Sequence, residues 1–122
     1  MPTRYVLDAH AWAEYLRGSP PGRRVRELVE SGSVYTTAVT LAELAGHVAR
    51  QGEDVPLAVR AVQTVSEIVP IDSELAVKAA ERSVRGKIPL RHAYVIEAAK
   101  RLGAEIVSGD RKLGSARVIQ IL

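Results

Sequence analysis

Short apolar segments alternate with longer helical segments along the chain, and this alternation limits the possible fold more than any other feature of the sequence. The apolar segments predict strands at residues 5–7, 34–36, 67–71, 105–108 and 118–122. The segments between them predict helices at about 9–17, 23–30, 40–50, 54–66, 72–85 and 90–102. Strands that alternate with helices form right-handed crossovers and pair in parallel. The sequence therefore predicts an α/β domain with a mostly parallel central sheet of about five strands, flanked by helices on both faces.

The length and composition are those of one ordinary globular domain. The chain has 122 residues, of which 47% are hydrophobic and 25% are charged, so we expect a single domain over residues 1–122. The absence of cysteine excludes thiol chemistry and thiolate metal sites. No apolar run approaches the roughly 20 residues of a membrane-spanning helix, and no signal-peptide core is visible. We therefore expect a cytoplasmic protein without membrane contact.

Two aspartates follow predicted strands at the point where each strand ends. Asp8 comes directly after the first strand, and Asp110 follows the fourth strand after a Ser-Gly pair. Glu43 lies in the first turn of the helix predicted to begin at Thr40, after the second strand. The carboxyl ends of parallel strands share one edge of a sheet, where ligands bind, so we expect the three carboxylates to converge. Such a cluster favours a divalent cation with oxygen ligands, Mg²⁺ or Mn²⁺.

Each of these carboxylates also has a purely structural interpretation. Asp8 would cap the helix that follows it, and Asp110 would form an Asx turn. Thr40 and Glu43 fit the capping box, in which the glutamate bonds back to the start of the helix. From the sequence alone, both the structural and the functional interpretations stay open.

The last predicted helix places a histidine on its inner face. Helical spacing groups five residues on that face: His92, Val95, Ile96, Ala99 and Leu102. His92 then points toward the strand ends, either as a buried, hydrogen-bonded core residue or as part of a site. Glu97 falls on the outer face, where we expect it to be solvated. On the first helix, His10 and Glu14 lie four residues apart, and we interpret them as a solvated or interfacial pair rather than a metal site.

The basic residues are concentrated near the start of the chain. The net charge is only +3, and arginine supplies 13 of the 17 basic residues. Arg17, Arg23, Arg24 and Arg26 surround the segment GSPPG, which predicts a basic edge there. A mild excess of cations permits an anionic partner without requiring one.

Three ordered motifs resemble one known family. They are YVLDAHAWAEYLRG at residues 5–18, TLAEL at 40–44 and PLRHAYVIEAAKRLGAEIVSGDRKL at 89–113. Together they resemble the PIN-domain family, specifically the VapC-type toxins of prokaryotic toxin–antitoxin pairs. The resemblance covers nearly the whole chain. One position departs from it, because His92 stands where the family usually has an aspartate that is commonly a metal ligand.

The resemblance implies a fold, an activity and partners. It implies a small PIN-like, three-layer α/β domain that acts as a Mg²⁺- or Mn²⁺-dependent ribonuclease, is inhibited by a VapB-type antitoxin and forms a homodimer. Carried over by position, the catalytic residues are Asp8, Glu43 and Asp110. The same three residues, together with His92, are the implied metal ligands. Arg17, Arg23 and Arg24 are the arginines implied to hold the RNA backbone.

Two other functions remain open at this stage. The first is a catalytically weakened or inactive PIN module that binds an antitoxin or RNA without cleavage, because His92 has altered the metal site. The second is a receiver or phosphatase domain that uses Asp8. A haloacid-dehalogenase-like phosphatase requires a second aspartate where this chain has His10, and a receiver requires an aspartate at the end of the third strand, where Val69 to Ile71 offer none.

Overall fold

The computed structural model describes residues 2–110 and 118–121 and forms five strands and six helices over those ranges. The strands are β1 (Arg4–Leu7), β2 (Ser33–Thr37), β3 (Glu67–Val69), β4 (Glu105–Ser108) and β5 (Val118–Gln120). The helices are α1 (Ala9–Arg17), α2 (Pro20–Ser31), α3 (Ala38–Arg50), α4 (Val55–Val65), α5 (Ser73–Gly86) and α6 (Leu90–Leu102). The predicted order of elements is confirmed, although the predicted strand residue Leu122 lies outside the described ranges. None of the helices described is long and apolar enough to cross a bilayer.

The five strands form one parallel sheet in the order β3-β2-β1-β4-β5. β1 lies at the centre, where Val6 is in register with Tyr35 of β2 and Ile106 of β4. Because all the strands run in the same direction, their carboxyl ends lie at one edge of the sheet. The residues that follow β1, β2 and β4 therefore meet at that edge.

Helices cover both faces of the sheet, as the sequence predicts. On one face, α1 to α4 pack over Tyr5 and Leu7 of β1, with the fully buried Trp12 of α1 in this cluster. On the other face, Val95 of α6 packs in a separate cluster with Val6, and α5 packs against α6. Alternate residues of β1 thus face opposite layers, which gives the three-layer α/β architecture.

The second helix begins earlier than its predicted start at residue 23. Ser19 is the N-cap of α2, and its hydroxyl oxygen accepts a hydrogen bond from the Gly22 amide at 3.1 Å. Pro20 and Pro21 occupy the first helical positions, where a missing N–H leaves no hydrogen bond unmade. The segment GSPPG therefore ends α1 at Gly18 and also starts α2.

The third helix also begins before its predicted start, which corrects the position of Glu43. Thr37 is the N-cap of α3, and its hydroxyl oxygen accepts a hydrogen bond from the Thr40 amide at 3.0 Å. The predicted capping box of Thr40 and Glu43 is therefore wrong. Glu43 lies one turn further along α3 than predicted, so its carboxylate is not used at the start of the helix.

Candidate functional site

A cleft opens at the carboxyl edge of the sheet, and it brings together the four residues predicted for the site. Its polar lining residues are Asp8, Glu43, His92 and Asp110, together with His10 and Arg91. We call this depression the acidic cleft. Asp8 follows β1 and Asp110 follows β4, while Glu43 and His92 reach the cleft from α3 and α6.

Asp8 combines a structural role with a position in the cleft. One carboxylate oxygen, Oδ1, accepts a hydrogen bond from the Ala11 amide at 2.8 Å and so caps α1. The other oxygen, Oδ2, accepts a hydrogen bond from the buried Ser108 hydroxyl. Asp8 is only 7% exposed, and this burial raises the pKa of its carboxyl group against the opposing effect of the Ser108 hydrogen bond. The structural interpretation of Asp8 as a helix cap is therefore correct, and it is compatible with a role in the cleft.

Ser108, at the end of β4, links the two aspartates. Its hydroxyl donates to Asp8 and its oxygen accepts a hydrogen bond from the Asp110 amide at 2.8 Å. The loop after β4 is held further by Gln120, whose side-chain amide nitrogen lies 3.4 Å from the Asp110 carbonyl oxygen. Ser108 therefore fixes the turn after β4 and the position of the Asp110 backbone.

His92 is both buried and part of the cleft. It is the third residue of α6 and is 7% exposed, and its backbone amide donates to the Pro89 carbonyl at 3.0 Å. Its Nε2 atom lies 3.0 Å from Oδ2 of Asp110. The core interpretation and the site interpretation of His92 therefore describe one arrangement, in which α6 delivers the ring to the aspartate that follows β4.

Glu97, the acidic residue of α6, is not solvated. The Glu97 side chain is only 12% exposed and forms an ion pair with Arg82 of α5. The expectation that Glu97 is solvated is wrong because α5 packs along that side of α6. Periodicity on α6 alone does not reveal this neighbour.

Glu43 is half-buried and has a cationic neighbour that the sequence analysis missed. Nε of Arg91 lies 3.5 Å from Oε2 of Glu43. Burial raises the pKa of the Glu43 carboxyl group, and the negative charge of Asp8 adds to this rise while Arg91 opposes it. The negative charge of Asp8 therefore acts on the Glu43 carboxylate across the cleft. The only signal for Arg91 in the sequence is that it directly precedes His92.

The three carboxylates and the imidazole are the right chemical types for a hard divalent cation. Burial partly desolvates the carboxylates of Asp8 and Glu43 and so disfavours their charged forms. A cation in the cleft would offset this cost. The residues therefore fit a divalent ion by type. No group of three such side chains in residues 2–110 and 118–121 is already arranged to hold one, so binding would require the side chains to move.

The three arginines predicted to bind RNA lie in different places. Arg17 lines a second depression beside the acidic cleft, between α1 and α3. Arg23 and Arg24 lie on α2, are exposed, and line neither depression. The structure therefore brings only Arg17 close to the predicted site.

The fold is similar to that of several solved structures. One is a toxin–antitoxin complex from Klebsiella pneumoniae, with a TM-score of 0.78 and 15% sequence identity over 97% of this chain and 98% of that chain. Another is VapC20 of Mycobacterium tuberculosis, described as a sarcin-ricin loop cleaving toxin, with a TM-score of 0.76 and 19% identity over 95% and 97% of the two chains. A third is VapBC2 from Rickettsia felis bound to a promoter DNA fragment, with a TM-score of 0.75 and 12% identity over 97% and 98%.

The family follows from a match that is independent of these structures. No curated protein sequence matches the chain. The family model described as the PIN domain matches residues 5–118. This range includes the motifs around Asp8, Glu43 and His92 and extends past Asp110. The resemblance stated from the motifs is confirmed, and the chain belongs to the PIN domain family.

Proposed function

We propose that this protein is a metal-dependent ribonuclease and the toxin of a VapBC-type toxin–antitoxin pair. The observation that carries the proposal is the convergence of Asp8, Glu43, Asp110 and His92 in one cleft of a chain that belongs to the PIN domain family. Domains of this family are generally nucleases. The catalytic residues in the proposal are Asp8, Glu43 and Asp110, and the metal ligands are these three together with His92.

In this proposal each residue of the cleft has a separate role in phosphodiester hydrolysis. Asp8, Glu43, Asp110 and His92 would hold a Mg²⁺ or Mn²⁺ ion, which would lower the pKa of a nearby water and stabilise charge at the phosphate. Asp8 is held in place by Ser108 and the Ala11 amide, so it presents a fixed carboxylate at the carboxyl end of the central strand. Asp110 is positioned through the Ser108 oxygen. Arg91 places a positive charge beside Glu43, where it helps to balance an incoming phosphate.

An RNA cleavage assay tests this proposal directly. Wild-type protein incubated with total RNA is expected to cleave it when Mn²⁺ or Mg²⁺ is present and to leave it intact in excess EDTA. The Asp8→Asn variant, purified in parallel, controls for contaminating nucleases because it should be inactive. Cleavage that persists in EDTA, or that is equal in the wild type and the variant, contradicts the proposal.

One observation favours the second candidate, an inactive module that binds without cutting. The imidazole of His92 lies 3.0 Å from Asp110 and so occupies one of the carboxylates that a metal would need. In this alternative the protein binds RNA or an antitoxin and shows no cleavage with either metal. The same assay therefore separates the two candidates.

A VapB-type antitoxin is the protein partner that we propose. The support comes from the structural neighbours, which include a toxin–antitoxin complex from Klebsiella pneumoniae and VapBC2 from Rickettsia felis. A further neighbour is VapBC-1 from nontypeable Haemophilus influenzae, with a TM-score of 0.67. The similarity to these complexes covers nearly the whole chain.

We also propose that the protein forms a homodimer, and the outer face of α5 supports this. Val77 and Val84 lie on that face and are 59% and 77% exposed, with the small Ala80 between them. If α5 packs antiparallel on a second copy with Val77 beside the partner's Val84, the same register brings Glu74, which pairs with Lys78 at 3.1 Å, near the partner's Lys87, the residue just past the end of α5. The apolar stripe and the charges are therefore self-complementary about one two-fold axis.

Replacing Val84 by glutamate is expected to convert the dimer into a monomer. The monomer should keep its stability, because a side chain that is 77% exposed contributes little to the fold. Sedimentation velocity measures the change, with Leu57→Glu as a matched control at an exposed apolar residue of α4. Glu74→Lys should weaken the dimer and the added change Lys87→Glu should restore it. A monomeric wild type, or a Val84→Glu variant that remains dimeric, contradicts the proposal.

A further inference from the structure

The acidic cleft continues into a second depression that runs between α1 and α3. We call this depression the α1–α3 cleft. Six polar side chains line it: His10, Glu14 and Arg17 from α1, and Glu43, His47 and Arg50 from α3. His10 and Glu43 also line the acidic cleft, so the two depressions share a border. A ligand that fills one of them can extend directly into the other.

The polar residues of the α1–α3 cleft are spaced to face it for two helical turns. On both helices they recur after four and then three residues, which keeps them on one face. The last of each set therefore lies about 10 Å along its helix from the first. The two arginines, Arg17 and Arg50, occupy the end that is distant from the acidic cleft.

The charge along this path changes sign. The end shared with the acidic cleft holds Glu43 and has Asp8 nearby, whereas the distant end holds Arg17 and Arg50. A cation therefore suits one end and an anion suits the other. Metal-bound phosphate at the first end and a neighbouring phosphate at the second is one arrangement that satisfies both.

One nitrogen of the Arg17 guanidinium group, Nη1, makes a structural contact with Glu14. The Glu14 carboxylate is buried and receives Nη1 of Arg17 at 3.0 Å and the Ser19 hydroxyl at 2.5 Å. The Ser19 hydrogen bond is the main cause that lowers the pKa of Glu14, and Arg17 adds to it. Arg17 therefore neutralises a buried charge and holds its remaining N–H groups at the wall of the cleft.

Arg50 makes no ion pair of this kind with any residue that the structure describes. Within the described part of the chain, no carboxylate lies within the 4.0 Å ion-pair distance of its guanidinium group. Its Nη1 atom lies 3.3 Å from where a Cβ of Gly46 would be, so the guanidinium folds back over a glycine in the middle of α3. A helical glycine destabilises α3 relative to alanine, and here it leaves room for the guanidinium group of Arg50.

We propose that the α1–α3 cleft is a second phosphate subsite for single-stranded RNA, in which Arg50 and Arg17 bind a backbone phosphate that flanks the one in the acidic cleft. This inference rests on the proposed function, because it assumes that RNA occupies the acidic cleft. The subsite contacts the RNA backbone and not the bases. It extends the substrate in one direction, along α1 and α3, and it replaces Arg23 and Arg24 with Arg50 as the RNA-binding partner of Arg17.

The two arginines also lie in the last turns of their helices, where a cation stabilises the helix dipole. A purely structural role would therefore change the unfolding midpoint and leave RNA affinity intact. A role in the subsite would change RNA affinity and its dependence on salt. These two readouts separate the interpretations.

The test measures binding of a fluorescent dodecauridylate by anisotropy in EDTA, so that it does not depend on cleavage. We expect Arg50→Gln to weaken binding and to reduce the slope of log affinity against log salt by about 0.7, and Arg17→Gln with Arg50→Gln to reduce it by about 1.4. Arg50→Lys should stay close to the wild type because it keeps the charge. The matched control is Arg85→Gln, an exposed arginine on α5, which should have no effect.

Each result has one meaning. Unchanged affinity and salt slope in Arg50→Gln, an equal loss in Arg85→Gln, or no binding by the wild type overturns the subsite. If wild-type protein nevertheless cleaves RNA with a metal, the proposed function survives that result. If no metal supports cleavage but Arg50→Gln still loses affinity, the nuclease proposal fails and the subsite stands. A loss confined to binding of a protein partner overturns the subsite in favour of a protein-docking surface.

Discussion

Replacing Asp8 by asparagine is expected to reduce metal-dependent RNA cleavage by about 100-fold or more while the protein stays folded. The loss of activity follows from removing a negative charge at the centre of the acidic cleft. The fold should tolerate the change because an asparagine amide can keep both contacts of Asp8, accepting from the Ala11 amide and donating to Ser108. Asparagine is also among the best helix N-caps.

The stability of this variant should depend on pH in a defined direction. Burial raises the pKa of Asp8 above its ordinary value of 3.8, so the folded state binds the proton more tightly than the unfolded state. The contribution of Asp8 to the stability of the wild type therefore falls as pH rises from about 3.8 through the raised pKa. Asp8→Asn lacks this fall, so without metal it should equal the wild type in acid and be at least as stable at neutral pH.

Asp8→Ala is the matched control, because it removes the charge together with the helix cap. It should lose about 1 kcal/mol from the cap to the Ala11 amide, and it also leaves the Ser108 hydroxyl without its acceptor. Urea unfolding of the three proteins at two pH values measures these differences. A loss of several kcal/mol in Asp8→Asn without metal would show that the charge of Asp8 is itself structural and would contradict the prediction.

Replacing His92 by aspartate is expected to increase Mg²⁺ affinity by about 10- to 100-fold. The wild-type cleft contains a nitrogen donor, which suits Mn²⁺ better than the harder Mg²⁺. The substitution supplies an oxygen ligand and a further negative charge. Without metal it should destabilise the fold, because it replaces the hydrogen-bonding partner of Asp110 by a like charge.

Calorimetric titration of both proteins with Mg²⁺ and Mn²⁺ measures this effect. His92→Asn is the control, since it supplies an amide oxygen without adding a charge and should gain less Mg²⁺ affinity than His92→Asp. Equal Mg²⁺ affinity in the wild type and in His92→Asp would show that residue 92 is not at the metal. His92 would then be a core histidine that happens to contact Asp110.

Most of the fold could be predicted because its signals are local. Asp54 and Asp72 stand at the predicted starts of α4 and α5, and they cap these helices through hydrogen bonds from the amides of Leu57 and Leu75 at 3.1 Å and 2.8 Å. The errors fall where two local signals compete. Thr37 and Thr40 are both good caps, and the choice of Thr37 depends on where β2 ends, which its pairing with β3 determines.

The site was predictable where it depends on strand ends and not where it depends on side chains from different helices. Asp8 and Asp110 follow neighbouring parallel strands, so the topology alone brings them to one edge. The links made by Ser108 and Arg91, and the position of Arg50 in the α1–α3 cleft, depend instead on how the elements pack. Glu97 shows the same limit, because its burial by α5 leaves no trace in the periodicity of α6.

The pairing of β1 with β4 also determines when activity can first arise during synthesis. Asp8 receives its hydrogen bond from Ser108, 100 residues later in the chain. A ribosome adds about 5 to 20 residues per second, so roughly 5 to 20 s separate these two residues as the chain is made. During that interval β1 has no β4 beside it and the acidic cleft has only part of its wall. If the protein cleaves RNA as proposed, a nascent chain therefore gains that activity only when synthesis is nearly complete.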